Sequence, residues 1–355
     1  LESSTSWSTG QLTTTGDVNL IAGNGHLSLL NSTVNTITAG LLELTAEQGS
    51  ILNMTTDVDQ LVAAAKGVVR VRNTGDLILG SAAAQTAWKG IRSATSIIDI
   101  ESEGGIDIHE SMSAGIGILL ASVDGDPGSL AEDLTVRSGV KIEVDSGTIT
   151  FNSADDILIE SGAQLAAGNS SIALNLSVIT TDFQGGELAL FGQLSAVNGA
   201  QLTGSVFADT FHLSASFGTE ITVNGESPAA PTSPADSLYY YSSPGAVPEV
   251  TPGGTDSGTI SFTGGLETID YSEIEEVKLQ GVLWIEGTEG DDELSILAMG
   301  PDSGTFQFNG GSVVSFTSLT QLVFEGGEGD DLLSIQNPDG GLFTPTEGIL
   351  FDGGS

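Results

Sequence analysis

The pattern that most restricts this chain is an alternation of apolar residues, interrupted by a glycine turn and then resumed. It reads VNLIAGNGHLSLL from Val18, LLELTAEQGSILNM from Leu41, VVRVRNTGDLIL from Val68 and IIDIESEGGIDI from Ile97. LTVRSGVKIEV from Leu134, ILIESGAQLAA from Ile157, LALFGQLSAV from Leu188 and FHLSASFGTEITV from Phe211 continue it. The turn glycines Gly25, Gly49, Gly75, Gly105, Gly139, Gly162, Gly192 and Gly218 are about 23 to 34 residues apart, the length of one β-solenoid coil. Within a stretch such as VVRVRN, Val69 and Val71 share one face while Arg70 and Arg72 share the other, the period of a half-buried strand. In VKIEVD, Val140, Ile142 and Val144 are expected inside, with Lys141, Glu143 and Asp145 outside. A single coil buries too little apolar surface to fold, so stacking into one continuous core is required. The best helical candidate, DVDQLVAAAKG from Asp57, reads as a loop or one short helix.

Composition supports many short strands joined by many turns: 48 glycines in 355 residues, few aromatics and no cysteine. The formal charge of −39 excludes partners that need a basic surface, nucleic acid and anionic membranes above all. Divalent cations are its natural counterions. The eight basic residues are concentrated, seven of them between Lys66 and Lys141, with Lys278 alone afterwards. Lack of cysteine removes disulfides and thiolate-bound zinc, and no apolar run is long enough for membrane insertion as a helix. The N-terminal LESSTSWSTG carries neither a starting Met nor a signal-peptide pattern, and the final FDGGS begins another glycine turn, so a piece of a longer protein is expected.

The reading L-x-L-x-A-x-x-G-x-I-x-L, present here as LLELTAEQGSIL, resembles the repeats of filamentous-haemagglutinin-type adhesins. That resemblance spans about 200 residues. It implies an all-β fold whose first part, residues 1–224, is a right-handed parallel β-helix on a bacterial surface. The Asn-Pro-Asn-Gly turn of that family's secretion domain is missing, which leaves the export route open. Residues 225–258, rich in Pro, Ser and Gly, are expected to be a linker without a ladder. Their LYYY segment is expected to pack on the solenoid end, with an aromatic patch for a glycan or protein ligand as the alternative.

Strands resume in residues 259–355 with a longer period: WIEGTEGDDELSI from Trp284 and VFEGGEGDDLLSI from Val323 are 39 residues apart. A smaller β-solenoid or β-roll-like domain follows from that repeat. GGEGDDLLS, Gly326 to Ser334, fits the nonapeptide G-G-x-G-x-D-x-U-x and so resembles the calcium-binding turns of RTX proteins, whereas GTEGDDELS departs from it at Thr288. The resemblance implies calcium on Asp291, Asp292, Asp330 and Asp331, with one ion shared if Asp292 and Asp331 lie one above the other. The competing reading gives the aspartates to the turn itself.

Catalytic constellations are not evident. Asp155 with Asp156, Asp107 with Glu110, and the cations Lys66, Arg70 and Arg72 were weighed as parts of a polysaccharide lyase or hydrolase site. Arg70 and Arg72 are expected to offset the acidic surface instead. His26, His109 and His212 are each expected alone on an outward position, without metal-ligand spacing. Asn31-Ser32-Thr33, Asn53-Met54-Thr55 and Asn175-Leu176-Ser177 fit the glycosylation triplet, and stacked asparagines at coil corners explain them equally well. A long corner excursion is expected over residues 120–133. The expected role is structural or adhesive, in a secreted or cell-surface protein, with a carbohydrate-active enzyme and a self-assembling filament subunit, joined through solenoid ends, as rivals.

Overall fold

A computed structural model gives the fold and describes the whole chain except residues 1, 4–6, 10, 30–35, 124–132, 177–184, 215–217, 227–234, 242–247, 255, 263–264, 339–341 and 355. The described residues contain strands and turns and no helix. The chain divides into two compact units, Leu1–Phe207 and Ala208–Ser355.

In the first unit each coil contributes to three parallel ladders. One ladder stacks Val69–Asn73, Ile97–Ser102, Gly117–Ser122, Ile149–Ser153 and Ile172–Leu176 in register. A second stacks Leu77–Leu79, Ile106–Ile108, Leu134–Val136, Ile157–Ile159 and Glu187–Leu190. The third runs through Ile91–Ser93, Met112–Ala114, Lys141–Val144, Gln164–Ala166 and Gln193–Ser195. This is a β-solenoid arrangement. Equivalent residues stand 17 residues apart at the shortest coil, Met54 to Val71, and 31 at the longest, Ile118 to Ile149. The corners absorb most of the difference, and one residue of it is taken up by a bulge inside the strand Ile51–Ala65, between Ile51 and Met54.

Alternation dictates what each coil buries. Ile51, Val69, Ile98, Ile118, Ile149 and Ile172 form one inward column, none of them more than 2% exposed. Val71, Ile100, Leu120, Phe151 and Leu174 form the next, and all are fully buried. Each such side chain contributes about 1.5–3 kcal/mol by leaving water. Val140, Ile142 and Val144 are buried as expected, with Lys141 and Asp145 exposed. At the corner after this ladder the inward position turns polar. Asn73 accepts hydrogen bonds from Thr56 Oγ1 and Val58 N and donates to the carbonyls of Val58, Gly75 and Asp76. One coil on, Ser102 Oγ donates to Gly75 O at 2.5 Å, and Ser122 and Ser153 pair at 2.9 Å. Buried turn carbonyls thus keep partners where the chain bends. Corner glycines serve close approach: a Cβ on Gly49 would stand 1.9 Å from Gly25 O in the coil before.

Two expectations change. Asp57–Ala65 is neither loop nor helix but part of the 15-residue strand Ile51–Ala65, whose residues join all three ladders by pairing with Val69, Ile78 and Ile91. A ladder on both sides overrides the helical propensity of three consecutive alanines. The excursion expected over residues 120–133 is described only to Val123 and from Asp133, and the rest lies outside the described residues.

The second unit begins earlier than residue 224. Thr210–Ser214 pairs in parallel with Ser237–Tyr241, and Ile221–Asn224 with Ile269–Ser272. The expected linker, residues 225–258, therefore contains a ladder strand: Ser237–Tyr241 also pairs with Glu276–Gln280. Its SLYYY alternates Leu238 and Tyr240 inward, both fully buried. Pro248–Pro252 adds an antiparallel partner to Gly258–Phe262, an edge use compatible with its prolines. Residues 227–234 and 242–247 of the segment lie outside the described residues. Farther on, Leu283–Glu286 stacks on Leu322–Glu325 and Glu293–Leu297 on Leu332–Gln336, while Gly304–Phe308 forms an antiparallel excursion between them.

The columns fix a stability expectation. Phe151→Ala, in the middle of its column, is expected to cost about 3–5 kcal/mol. Urea unfolding of the variant against the parent chain measures it.

Candidate functional site

The two Gly-Asp turns of the second unit stack, with Asp292 N donating to Asp331 Oδ1 at 2.9 Å and Asp330 N to Asp291 Oδ1 at 3.0 Å. Glycine is required at the close approach: a Cβ on Gly287 would stand 1.9 Å from Gly326 O and 2.6 Å from Asp292 Oδ2. Gly329 adds a φ of +125°, in the region that disfavours other residues. Asp292 is 2% exposed, and its carboxylate is already engaged. Oδ2 accepts Thr288 N at 2.6 Å and Thr288 Oγ1 at 3.2 Å, while Oδ1 accepts Asn309 Nδ2. Thr288, the departure from the nonapeptide, thus adds a hydroxyl donor to its own corner.

Calcium asks for six to eight oxygens turned toward one point. Here N–H and O–H donors are turned toward the carboxylates instead, and only Asp331 Oδ2 is buried without a partner. Among the described residues no group of three or more His, Asp or Glu side chains is arranged to hold a metal ion. As they stand, hydrogen bonds occupy the Asp292 carboxylate, Asp331 Oδ1 and Asp291 Oδ1, which accounts for the stacking of the two turns. Asp292→Ala is expected to destabilise the chain by about 1–3 kcal/mol through its orphaned donors. The loss should be equal in chelator and in millimolar calcium, which thermal melts of both proteins in both buffers decide.

The same corner device recurs where the sequence carries no nonapeptide. Asp209, Asp236 and Glu275 each precede a strand of one ladder. Asp209 N donates to Asp236 Oδ1 at 2.7 Å and Asp236 N to Glu275 Oε2 at 2.9 Å. Asp209 and Asp236 are fully buried, and Asp236 Oδ2 and Glu275 Oε1 lack partners. Burial is the main cause that pushes Asp236 up to about 7; the carboxylates of Asp209, Glu275 and Glu273 push the same way, and the Asp209 N–H opposes them. A carboxyl raised above its unfolded value of about 3.9 stabilises the fold below that pH and loses the contribution as pH climbs through the folded value. The second unit is therefore expected to be more stable at pH 5 than at pH 8, by an amount on the order of a few kcal/mol. Asp236→Asn should flatten that dependence in melts across the range.

In the first unit a column of acids marks the corner before the second ladder: Asp76, Asp133, Asp156 and Glu187. Gly105 N donates to Asp76 Oδ1 at 3.0 Å, and Glu187 N to Asp156 Oδ1 at 2.6 Å. Beside this column lies a shallow groove. One part, about 340 Å³, is lined by Asp76, Asp107, Asp133 and Arg137, and the next, about 160 Å³, by Asp133, Asp156 and Glu187.

The weighed catalytic residues are drawn into the wall. Arg137 makes a two-pronged contact with Asp107 at 2.7 Å and reaches Glu160 at 2.9 Å, which holds the guanidinium protonated. Burial pushes the Asp107 carboxyl up, but Arg137 and His109 outweigh it and hold it below its usual range, while the Ser138 N–H first and Arg137 second lower Glu160. Arg70 pairs with Asp99 and Arg72 with Glu101, each one coil on, as expected. The histidines are not alone. His26 Nδ1 accepts Ser50 N, His109 meets Asp107 at 2.9 Å, and His212 stacks on Tyr239 with centroids 5.1 Å apart. Stacking along the coil axis covers a face of Tyr239 that a sugar would need. Asn175 Nδ2 donates to Asn152 Oδ1 at 2.8 Å, the asparagine ladder, while Asn53 is exposed at a φ of +51°. Asn31 to Thr33 and Ser177 lie outside the described residues. The corner pairings of Asp209 with Asp236 and of Asp236 with Glu275, 27 and 39 residues apart, were not read from the sequence. Their signal is an acid placed immediately before each strand.

Compared with known proteins, the chain matches no family model, and no curated protein or solved structure is significantly similar to it.

Proposed function

We propose that the chain is a structural or adhesive segment of a large secreted or cell-surface bacterial protein, with its first unit coiled as a right-handed parallel β-helix. It acts as a stiff, acidic stalk or scaffold, in the manner of the filamentous-haemagglutinin-type adhesins that its repeats resemble. The observation that supports this reading is the use of its reactive side chains. Arg70, Arg72, Arg137 and the corner acids Asp156, Asp236 and Asp292 are bonded to other residues of the wall, most of them one coil away. A catalytic group needs a free lone pair or proton aimed at a substrate; these groups spend most of theirs within the wall, and the one unpartnered oxygen among them, Asp236 Oδ2, is buried. Parallel ladders loaded across many backbone hydrogen bonds suit a load-bearing role. The dense negative surface keeps such a segment soluble.

Two measurements test this together. Incubated with a Glu-specific protease, the native chain is expected to keep its ladder strands intact despite 23 glutamates, with cuts confined to corners. Incubated with acidic and neutral polysaccharides, it is expected to release no new reducing ends. Turnover above the blank would replace the stalk with a depolymerase.

A further inference from the structure

The few cations of this chain fall into two groups. Arg70, Arg72, Arg137, Lys141 and Lys278 each form an ion pair with a neighbouring carboxylate. Among the described residues Lys66, Lys89 and Arg92 form none, and they belong to one region of the first unit. Lys66 and Arg92 line a depression of about 360 Å³ together with Thr45, Ala46, Glu47, Ala64, Ala65 and Ala94. Arg92, Ala64 and Thr45 are an outward column of the third ladder, so the floor between the cations consists of small side chains.

One flank of this region is built at some cost. The excursion of residues 80–90 lies over Leu41 and Val62, which form a buried cluster with its Ala84. It is held by Glu43, a carboxylate only 2% exposed. That carboxylate accepts Gln85 N at 3.0 Å and Thr86 N at 3.1 Å. Lys89 Nζ donates to Ala84 O, and Trp88 sits 5.5 Å from the Arg92 guanidinium carbon, stacking against the cation. The buried Glu43 side chain thus anchors Gln85 and Thr86, and Thr86 Oγ1 in turn donates to Trp88 O at 2.6 Å.

We infer that this depression binds a single carboxylated sugar residue within an otherwise neutral glycan. A planar carboxylate matches the guanidinium fork of Arg92, and Lys66 supplies a second positive charge. The methyls of Ala64 and Ala94, which are not buried, and the Thr45 hydroxyl suit a ring that presents both C–H and O–H groups. Glu47 and the overall charge of −39 repel a polyanion, which restricts the ligand to one acidic residue. The inference deepens the adhesive reading by naming a ligand, yet its readout is binding rather than turnover, so either can fail alone.

The test is NMR titration of the full chain with methyl glucuronide, methyl glucoside and acetate at low salt. Methyl glucuronide is expected to bind at least roughly tenfold tighter than the other two. Arg92→Gln should weaken it by about tenfold or more and Lys66→Gln by several-fold, with unchanged melting temperatures, while Arg70→Gln leaves binding as it was. Equal binding of acetate would reduce the site to a simple anion contact and overturn the inference. So would undiminished binding by both Arg92→Gln and Lys66→Gln, or no response to millimolar methyl glucuronide.

Discussion

Register between successive coils is the constraint on which everything else in this protein depends. In a parallel ladder, each residue stands over its counterpart one coil earlier, and the side-chain period of two decides which face it joins. Once Ile98 stands over Val69, Ile100 must stand over Val71, and Asp99 over Arg70. The inward columns, the outward ion pairs and the polar corner ladders are therefore one decision repeated. Apolar burial supplies most of the stabilisation, and the register distributes it along the stack.

Carboxylates make visible how far this repetition governs chemistry. An acid just before a strand can accept the N–H of its counterpart in the adjacent coil, and both units use the geometry. Asp156 takes Glu187 N in the first, and Asp236 and Asp331 take Asp209 N and Asp292 N in the second. Acidity that looks on composition like a reservoir of cation ligands is partly a set of hydrogen-bond acceptors for bent backbone. Asp236 is the extreme case, since its burial next to other carboxyls leaves one oxygen without a partner.

The fold class was legible because period-two alternation and glycine spacing are local, and Val69 and Val71 already point inward in any strand reading. Three features escaped for physical reasons. SLYYY sits among prolines, so composition spoke for a linker although Leu238 and Tyr240 alternate correctly for a core. Asp57–Ala65 carries helix-forming alanines, and only pairing on both sides shows it to be a strand. The hold of Glu43 on Gln85, 42 residues away, leaves no periodic trace at all. The Gly-Asp corners were half legible: their stacking followed from the 39-residue repeat, while the donors that fill Asp292 came from Thr288 and Asn309, outside the motif's logic.

Coil length in the first unit, from 17 to 31 residues with most of the variation at the corners, bears on how such a chain can change over generations. Residues gained or lost at a corner leave every ladder intact, whereas losing one residue inside Ile149–Ser153 would turn its inward set outward. Insertions and deletions should accordingly accumulate at the bends and be purged from the strands. The solenoid wall then acts as a fixed frame on which excursions such as residues 80–90 are lengthened, shortened or exchanged without refolding what lies beneath.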